Sequence, residues 1–364
     1  MRIVILVIAF LILLSSCSRN DFRNVELIDI KLGPNGDFAV AYYSNETVNV
    51  YSFEKLIRSF QRKAIFVSTS TNTIGSYMLI TDFGFLKDGR TYVVGFKPTL
   101  GWSIRVGDRT FGYYSYVSEF EQSKDGTTVA FIYNVGGTFD GTNVVGGKFY
   151  VNVNGRDYGP YDFAYNLSFS QQDNTFYFVY VNGKNHNLKI NEGDYVGFGN
   201  VIPPLSFANE TQFSFAYRIG RNWFLHPTEK LEPNIYNLIV SDRGITLIFT
   251  NSNYTLISNA NSNFVVDGIL VKLEEKNGKY LILSKVSNGY KIYYDIEYGI
   301  YENITKHLTI NDKLVFKYKS NDNWYIFVEP NNYGPFKYAD FITYQGKIRI
   351  GYIEDGIVKT LDVE

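Results

Sequence analysis

The chain has 364 residues, with 35 Lys and Arg against 36 Asp and Glu, for a net charge of −1. That balance excludes a nucleic-acid protein, which needs a clear basic excess to hold the phosphate backbone. Tyr (31) and Phe (29) bring the aromatics to 17% and favour strands, while the single cysteine, Cys17, allows neither an internal disulfide nor a cysteine-based metal site.

Met1 and Arg2 lead into twelve apolar residues, Ile3 to Leu14, followed by Ser15, Ser16 and Cys17. A charged start, a short apolar core and small residues make a signal peptide. The core is too short for a spanning helix, which takes about 20 residues. Leu14-Ser15-Ser16-Cys17 resembles the lipobox of bacterial lipoproteins. The resemblance implies cleavage before Cys17, lipidation of its thiol and acylation of the new amino terminus. Two or more acyl chains anchor a protein stably where one is marginal. The expected division is residues 1–16 as signal peptide, 17–21 as lipidated cysteine and short tether, and 22–364 as one domain. The implied location is the bacterial cell envelope, with membrane lipid as one partner through Cys17. Ser18, not Asp, follows the cysteine, so the outer membrane is expected where the cell has two, facing either the periplasm or the outside.

After the tether, a polar or Gly turn between strand-like runs recurs nine times. It stands at Asn35-Gly36, Asp88-Gly89, Asp125-Gly126, Asp173-Asn174, Asn209-Glu210, Arg243-Gly244, Asn277-Gly278, Asn311-Asp312 and Gln345-Gly346. The step is about 39 residues, within the range of propeller repeats. A second turn follows most of these, and Trp102, Trp223 and Trp324 each come just after it. A third landmark is an aromatic-Gly-x-aromatic phrase: "FGYY" at Phe111, "YGPY" at Tyr158, "YGIY" at Tyr298 and "YGPF" at Tyr333. It marks the fourth strand of a module. Four short antiparallel strands per module are the signature of an all-β propeller. "KFYVNVNG" and "KIRIGYIE" alternate with the period of two that strands require. Residues Glu54 to Lys63 read as a short helix or an edge strand. The irregular stretch Arg58 to Met78 leaves the count at seven to nine blades, with nine modules visible. The last module shows three strands. An extra strand at Phe22 to Leu27 is expected to complete it and close the sheet edges.

"FEQSKDGTTVAFIY", "FSQQDNTFYFVY" and "FANETQFSFAY" carry an aromatic, a polar turn and an Ala-Phe-type strand. They resemble the WD-repeat-like repeats of TolB-type bacterial propellers. The resemblance covers most of the mature chain, but several modules lack the Asp-Gly pair, and neither Trp-Asp nor Gly-His occurs. It implies a fold and a tendency to bind protein.

No catalytic set stands out. His186, His226 and His307 are scattered and make no His-x-His or His-Glu-x-x-His, so no metal is expected. "GTNVVGGKF" imitates a P-loop at Gly141, Gly146, Gly147 and Lys148. An extra Gly and Phe149 break the pattern, and the segment joins two strands. It reads as a long hairpin loop of the kind that carries contacts. No G-x-S-x-G elbow occurs. The sequence points to no cofactor and leans away from an enzyme.

Three acids repeat in one phrase: Asp82 in "TDFGF", Asp162 in "YDFAY" and Asp340 in "ADFIT". Each opens a module, where a propeller loop reaches toward the central channel. Together with Tyr161 and Phe336 they form the candidate ligand face, suited to a cation, a sugar or a basic peptide. The opposing reading is that each Asp caps its own turn. The expected role is a non-catalytic, membrane-anchored propeller binding a protein or glycan partner. The rival readings are a carbohydrate-active envelope enzyme, either glycosidase or lyase, with acids from several blades, and a structural subunit of an envelope assembly.

Overall fold

A computed structural model describes residues 26–364, apart from 36, 45–46, 53–54, 62–79, 98–99, 141–143, 205–206, 208–212, 227–228, 232–234, 242–243, 251–253, 259–262, 277–278, 356 and 364. The expected signal peptide, Cys17, the expected tether and most of the irregular stretch after Arg58 lie outside the described residues. Residues 55–61, read as helix or edge strand, form the strand Lys55–Gln61.

All described elements are strands, and apart from one inserted two-stranded hairpin they form nine successive antiparallel sheets, the blades of a β-propeller. Eight of these sheets have four strands and the last has three. The blades span residues 26–61, 80–114, 116–161, 163–198, 200–231, 235–267, 269–301, 303–336 and 339–363. The chain divides into two compact units. Unit 1, residues 1–113 and 304–364, carries blades 1, 2, 8 and 9; unit 2, residues 114–303, carries blades 3 to 7.

Polar turns close the hairpins for a backbone reason. Two-residue hairpin turns want positive φ at both central positions. Asn154-Gly155, Asn311-Asp312, Asn321-Asp322 and Gln345-Gly346 all adopt it. The Ser-x-Asp-Gly phrase of blade 3 is a self-capped turn. Asp125 accepts hydrogen bonds from Ser123 Oγ (2.7 Å), Thr127 N (2.9 Å) and Thr127 Oγ1 (2.8 Å). These donors hold its carboxyl well below the usual range.

The second strand of a blade reads as a continuous apolar run where neighbouring blades cover both its faces, as in blade 4, where five successive residues are buried from Phe176 in the strand Phe176–Asn182. In Val129–Val135 of blade 3, the five apolar residues from Val129 to Tyr133 are buried as well. Burying an aliphatic or aromatic side chain contributes about 1.5–3 kcal/mol, so these central strands hold most of the core.

The aromatic-Gly-x-aromatic phrase has a specific mechanical meaning. Residues three apart on a regular strand point to opposite faces. In blade 3 the outer strand advances from Tyr158 to Tyr161 while its partner advances only from Val151 to Phe149. This β-bulge turns both aromatics to one face. Gly159 sits there at φ +131°, a conformation almost confined to glycine. Tyr161 then stacks on Tyr180 of blade 4 at 4.3 Å, and Tyr158 packs on Phe176 at 5.7 Å. Outer strands of blades 4, 7 and 8 repeat the step, from Tyr195 to Phe198, Tyr298 to Tyr301 and Tyr333 to Phe336.

Among the described residues, blade 3 alone carries an inserted two-stranded hairpin, Thr138–Phe139 with Val144–Val145, in the segment that imitates a P-loop. The buried Asn134 ties its base together, accepting from Gly137 N (3.0 Å) and donating to Gly146 O (3.2 Å).

The closing strand differs from expectation in its boundary. Glu26 and Leu27 belong to the inner strand of blade 1, Glu26–Leu32, and pair with Tyr43 and Tyr42. The rest of the expected strand, residues 22–25, lies outside the described residues. Among the described residues blade 9 keeps three strands. Blades 9 and 1 meet by packing instead: Tyr338 OH donates to Leu27 O (3.1 Å), and Leu32 N donates to Asp340 Oδ2 (2.9 Å). Gly351 makes that approach possible, because a Cβ there would stand 2.5 Å from Leu32 Cδ1.

Candidate functional site

Within unit 1, four inner strands bring charged residues to one place: Glu26–Leu32, Ile80–Phe85, Asn303–Ile310 and Ala339–Tyr344. A cavity of about 230 Å³ lies among them. Its charged and hydroxylic lining is Lys31, Asp82, Tyr92, Thr305, Lys306, Lys317 and Asp340, beside Phe83 and Phe85.

Asp340 is the buried anchor, 3% exposed. It stands across from Gly351 in the blade 9 ladder, where the partner has no side chain to compete for space. One oxygen accepts Leu32 N and the other the Lys306 ammonium at 2.9 Å. Burial alone would push this carboxyl up, but the Lys306 charge and hydrogen bond, with Leu32 N and Lys31, outweigh it and hold it below the usual value. Lys306 also donates to Phe341 O (2.5 Å) and lies over the Phe341 ring at 4.9 Å.

Asp82 behaves oppositely. It reaches solvent, yet sits in a concave wall where desolvation raises its carboxyl above the usual value. Tyr92 OH (3.1 Å) and Phe83 N (2.8 Å) donate to it and offset part of that rise, as does Lys31. Lys31 in turn pairs with Asp29 at 3.0 Å. Burial pulls its ammonium down, but Asp29, Asp340 and Asp82 hold it above the ordinary value.

The remaining predicted residues lie elsewhere. Asp162, in unit 2, is exposed, pairs with Lys148 (2.6 Å) and accepts Gly183 N (2.7 Å). It caps a turn, and its lowered pKa comes from the hydrogen bond of Lys148. Tyr161 is half-buried in the blade 3–blade 4 stack. Burial first, then Asp194, pushes its hydroxyl up to about 12. Phe336 packs on Tyr352 at 4.8 Å in the core between blades 8 and 9. Neither ring lines the cavity. His186 Nδ1 meets Tyr165 OH at 2.8 Å, and His226 stacks on Phe215 at 4.8 Å, both packing roles.

The three lysines were missed by sequence reasoning. Their signal was present in Lys317, a charge inside "KLVFKYKS", whose preceding Leu314, Val315 and Phe316 are fully buried. A lysine in a central strand is out of place unless something holds it.

No protein-family model matches the sequence, and no curated protein matches it. Solved structures do. The chain is similar to the Dos1 propeller at 12% identity over 81% of this chain and 91% of that one, with a TM-score of 0.41. It is similar to the propeller domain of the Trilobed protease from Pyrococcus furiosus at 8% identity, over 86% and 96% of the two chains, with a TM-score of 0.42. An acylaminoacyl peptidase from Pyrococcus horikoshii is similar at 9% identity, over 91% of this chain and 57% of that one, with a TM-score of 0.45. These are likenesses of fold.

Proposed function

We propose that this chain is a bacterial cell-envelope lipoprotein, anchored through lipid on Cys17, whose propeller binds a protein or glycan partner without catalysing a reaction. The observation that carries the binding reading is the unit 1 cavity, where five charged side chains line one small space. Burying charge is costly, and a concave site rich in perturbed groups is a functional candidate. Asp340 supports recognition over catalysis: both its oxygens are occupied as acceptors, which leaves it poorly placed to pass a proton. Asp82, at the solvent side, is the group a partner would meet.

Two expected outcomes test the two halves. The Cys17→Ala variant should leave the detergent phase in phase partitioning, or accumulate with its signal peptide retained. Processed Cys17→Ala protein that still partitions with detergent would refute the anchor. Asp82→Asn keeps an acceptor oxygen for Phe83 N, lets the Tyr92 hydroxyl accept from the new amide instead of donating, and removes a charge. It should change recovery of the native partner from envelope extract by about tenfold or more, upward where the partner meets the site with an acid and downward where it meets it with a base or a hydrogen-bond donor, with an unchanged melting curve. Equal recovery by both proteins would remove the cavity from the binding face.

A further inference from the structure

Lys317 sits in the second strand of blade 8 with its side chain 5% exposed, and it lines the unit 1 cavity. Its ammonium has three N–H donors. Among the described residues it makes no hydrogen bond. The nearest carboxylate oxygen, Asp29 Oδ1, stands at 3.9 Å, and the Trp324 ring lies beneath it at 4.3 Å. Burial pulls its pKa down, with Asp29 and Asp340 only partly opposing. A buried ammonium without hydrogen-bond acceptors is unfavourable unless something supplies them.

The neighbouring lysines are already engaged. Lys31 holds Asp29, and Lys306 holds Asp340 and Phe341 O. They do not compete for a ligand. The lining carries three lysines and two aspartates, and Asp29 beside Lys31 and Lys317 brings the cluster to three charges of each sign. An anion therefore finds the open donors of one ammonium and no net positive field, which suits a monoanion. A phosphate, with more negative charge, would stay uncompensated, and no arginine lines the cavity to grip it in a fork. The volume, about 230 Å³, falls below the roughly 300–1,000 Å³ of pockets for drug-sized ligands. It admits one small acidic group.

We infer that this cavity receives a single carboxylate group, seated on the Lys317 ammonium, so that the partner recognised there presents an acid. The inference rests on the cavity being the binding site and names its ligand class. The carboxylate can come from an acidic sugar or an acidic side chain, and the chemistry at Lys317 is the same.

The test titrates the full-length lipoprotein in detergent with acetate, D-glucuronate and N-acetyl-aspartate amide, with chloride at matched ionic strength as comparator. Tryptophan emission reports occupancy, because Trp324 lies under Lys317. Lys317→Met is the paired variant. Its apolar side chain of similar length suits the site, and its melting curve verifies the fold. A saturable change with carboxylates and not with chloride is expected, weakened about thirtyfold or more by Lys317→Met. Tighter glucuronate binding identifies a sugar acid as the source, tighter aspartyl binding a protein acid, and equal binding confines recognition to the carboxylate. No saturable response to any of the three acids, or equal titration of Lys317→Met, overturns the inference. Should that happen while Asp82→Asn still shifts recovery of the partner, the cavity remains the binding site and only the ligand class falls.

Discussion

Replacing Asp340 with alanine is expected to lower the stability of the protein by about 2–3 kcal/mol: the buried Leu32 N–H is left without its acceptor, and Lys306, itself 36% exposed, loses its carboxylate but keeps solvent. The first loss falls on the packing between blades 1 and 9 in unit 1. Chemical denaturation read by circular dichroism measures it, and a deficit under about 1 kcal/mol would contradict the account. The pH dependence has a definite sign. The folded-state pKa of Asp340 lies below its unfolded value. Its contribution is therefore fully present above the unfolded value, about 3.9, and is lost as pH falls through the lower folded value. The gap between wild type and Asp340→Ala should be constant near neutrality and narrow below about pH 4.

The second large effect is expected at Gly159. At φ +131° an added Cβ would be strained by the backbone alone, and it would stand 2.9 Å from Phe149 O. Gly159→Ala should cost about 2–3 kcal/mol, as for other residues forced into conformations that only glycine tolerates. Relief of the strain would flatten the bulge and turn either Tyr158 or Tyr161 away from blade 4. Val196, in the outer strand of blade 4 between Tyr195 and Phe198, is 63% exposed. Val196→Ala should change stability by less than about 0.5 kcal/mol. Thermal melts that give the two substitutions equal effects would mean that the bulge does not set the packing between blades.

The propeller was legible because its signals are local and repeated. Polar pairs announced turns that need positive φ, and aromatic-Gly phrases announced outer strands. The bulge inside that phrase was not legible, since spacing alone cannot show that two aromatics three residues apart share a face. The acids of the site were legible through the Asp-Phe phrase, but their surroundings were not. Asp340 is the second residue of its strand, opposite Gly351, and is buried. Asp162 directly precedes its strand Phe163–Phe169 and is exposed beside Lys148. The same two letters therefore name an anchor in one blade and a turn cap in another. The partner of Asp340, Leu32 N, is 308 residues away in sequence, beyond the reach of any local pattern. What Lys317 faces was not legible, because a lysine within a strand-like run carries no sign of what surrounds its ammonium.

The hairpin inserted in blade 3 has a consequence for how this fold can be lengthened. Asn134 joins Gly137 to Gly146 with its own amide, so the two arms leave the blade at a separation set by one side chain. Blade pairing resumes at once on the far side, with Val135 opposite Lys148. The stem is also tied down by packing, since Phe139 stacks on Tyr116 at 5.2 Å and Val144 lies against the core of the blade. Chain added after Asp140, past these contacts, costs mainly loop-closure entropy, which grows by only about 0.6 kcal/mol for each doubling of length. That position is thus a natural port for grafting an epitope or a reporter peptide, with Asn134, Phe139 and Val144 as the fixtures to leave untouched.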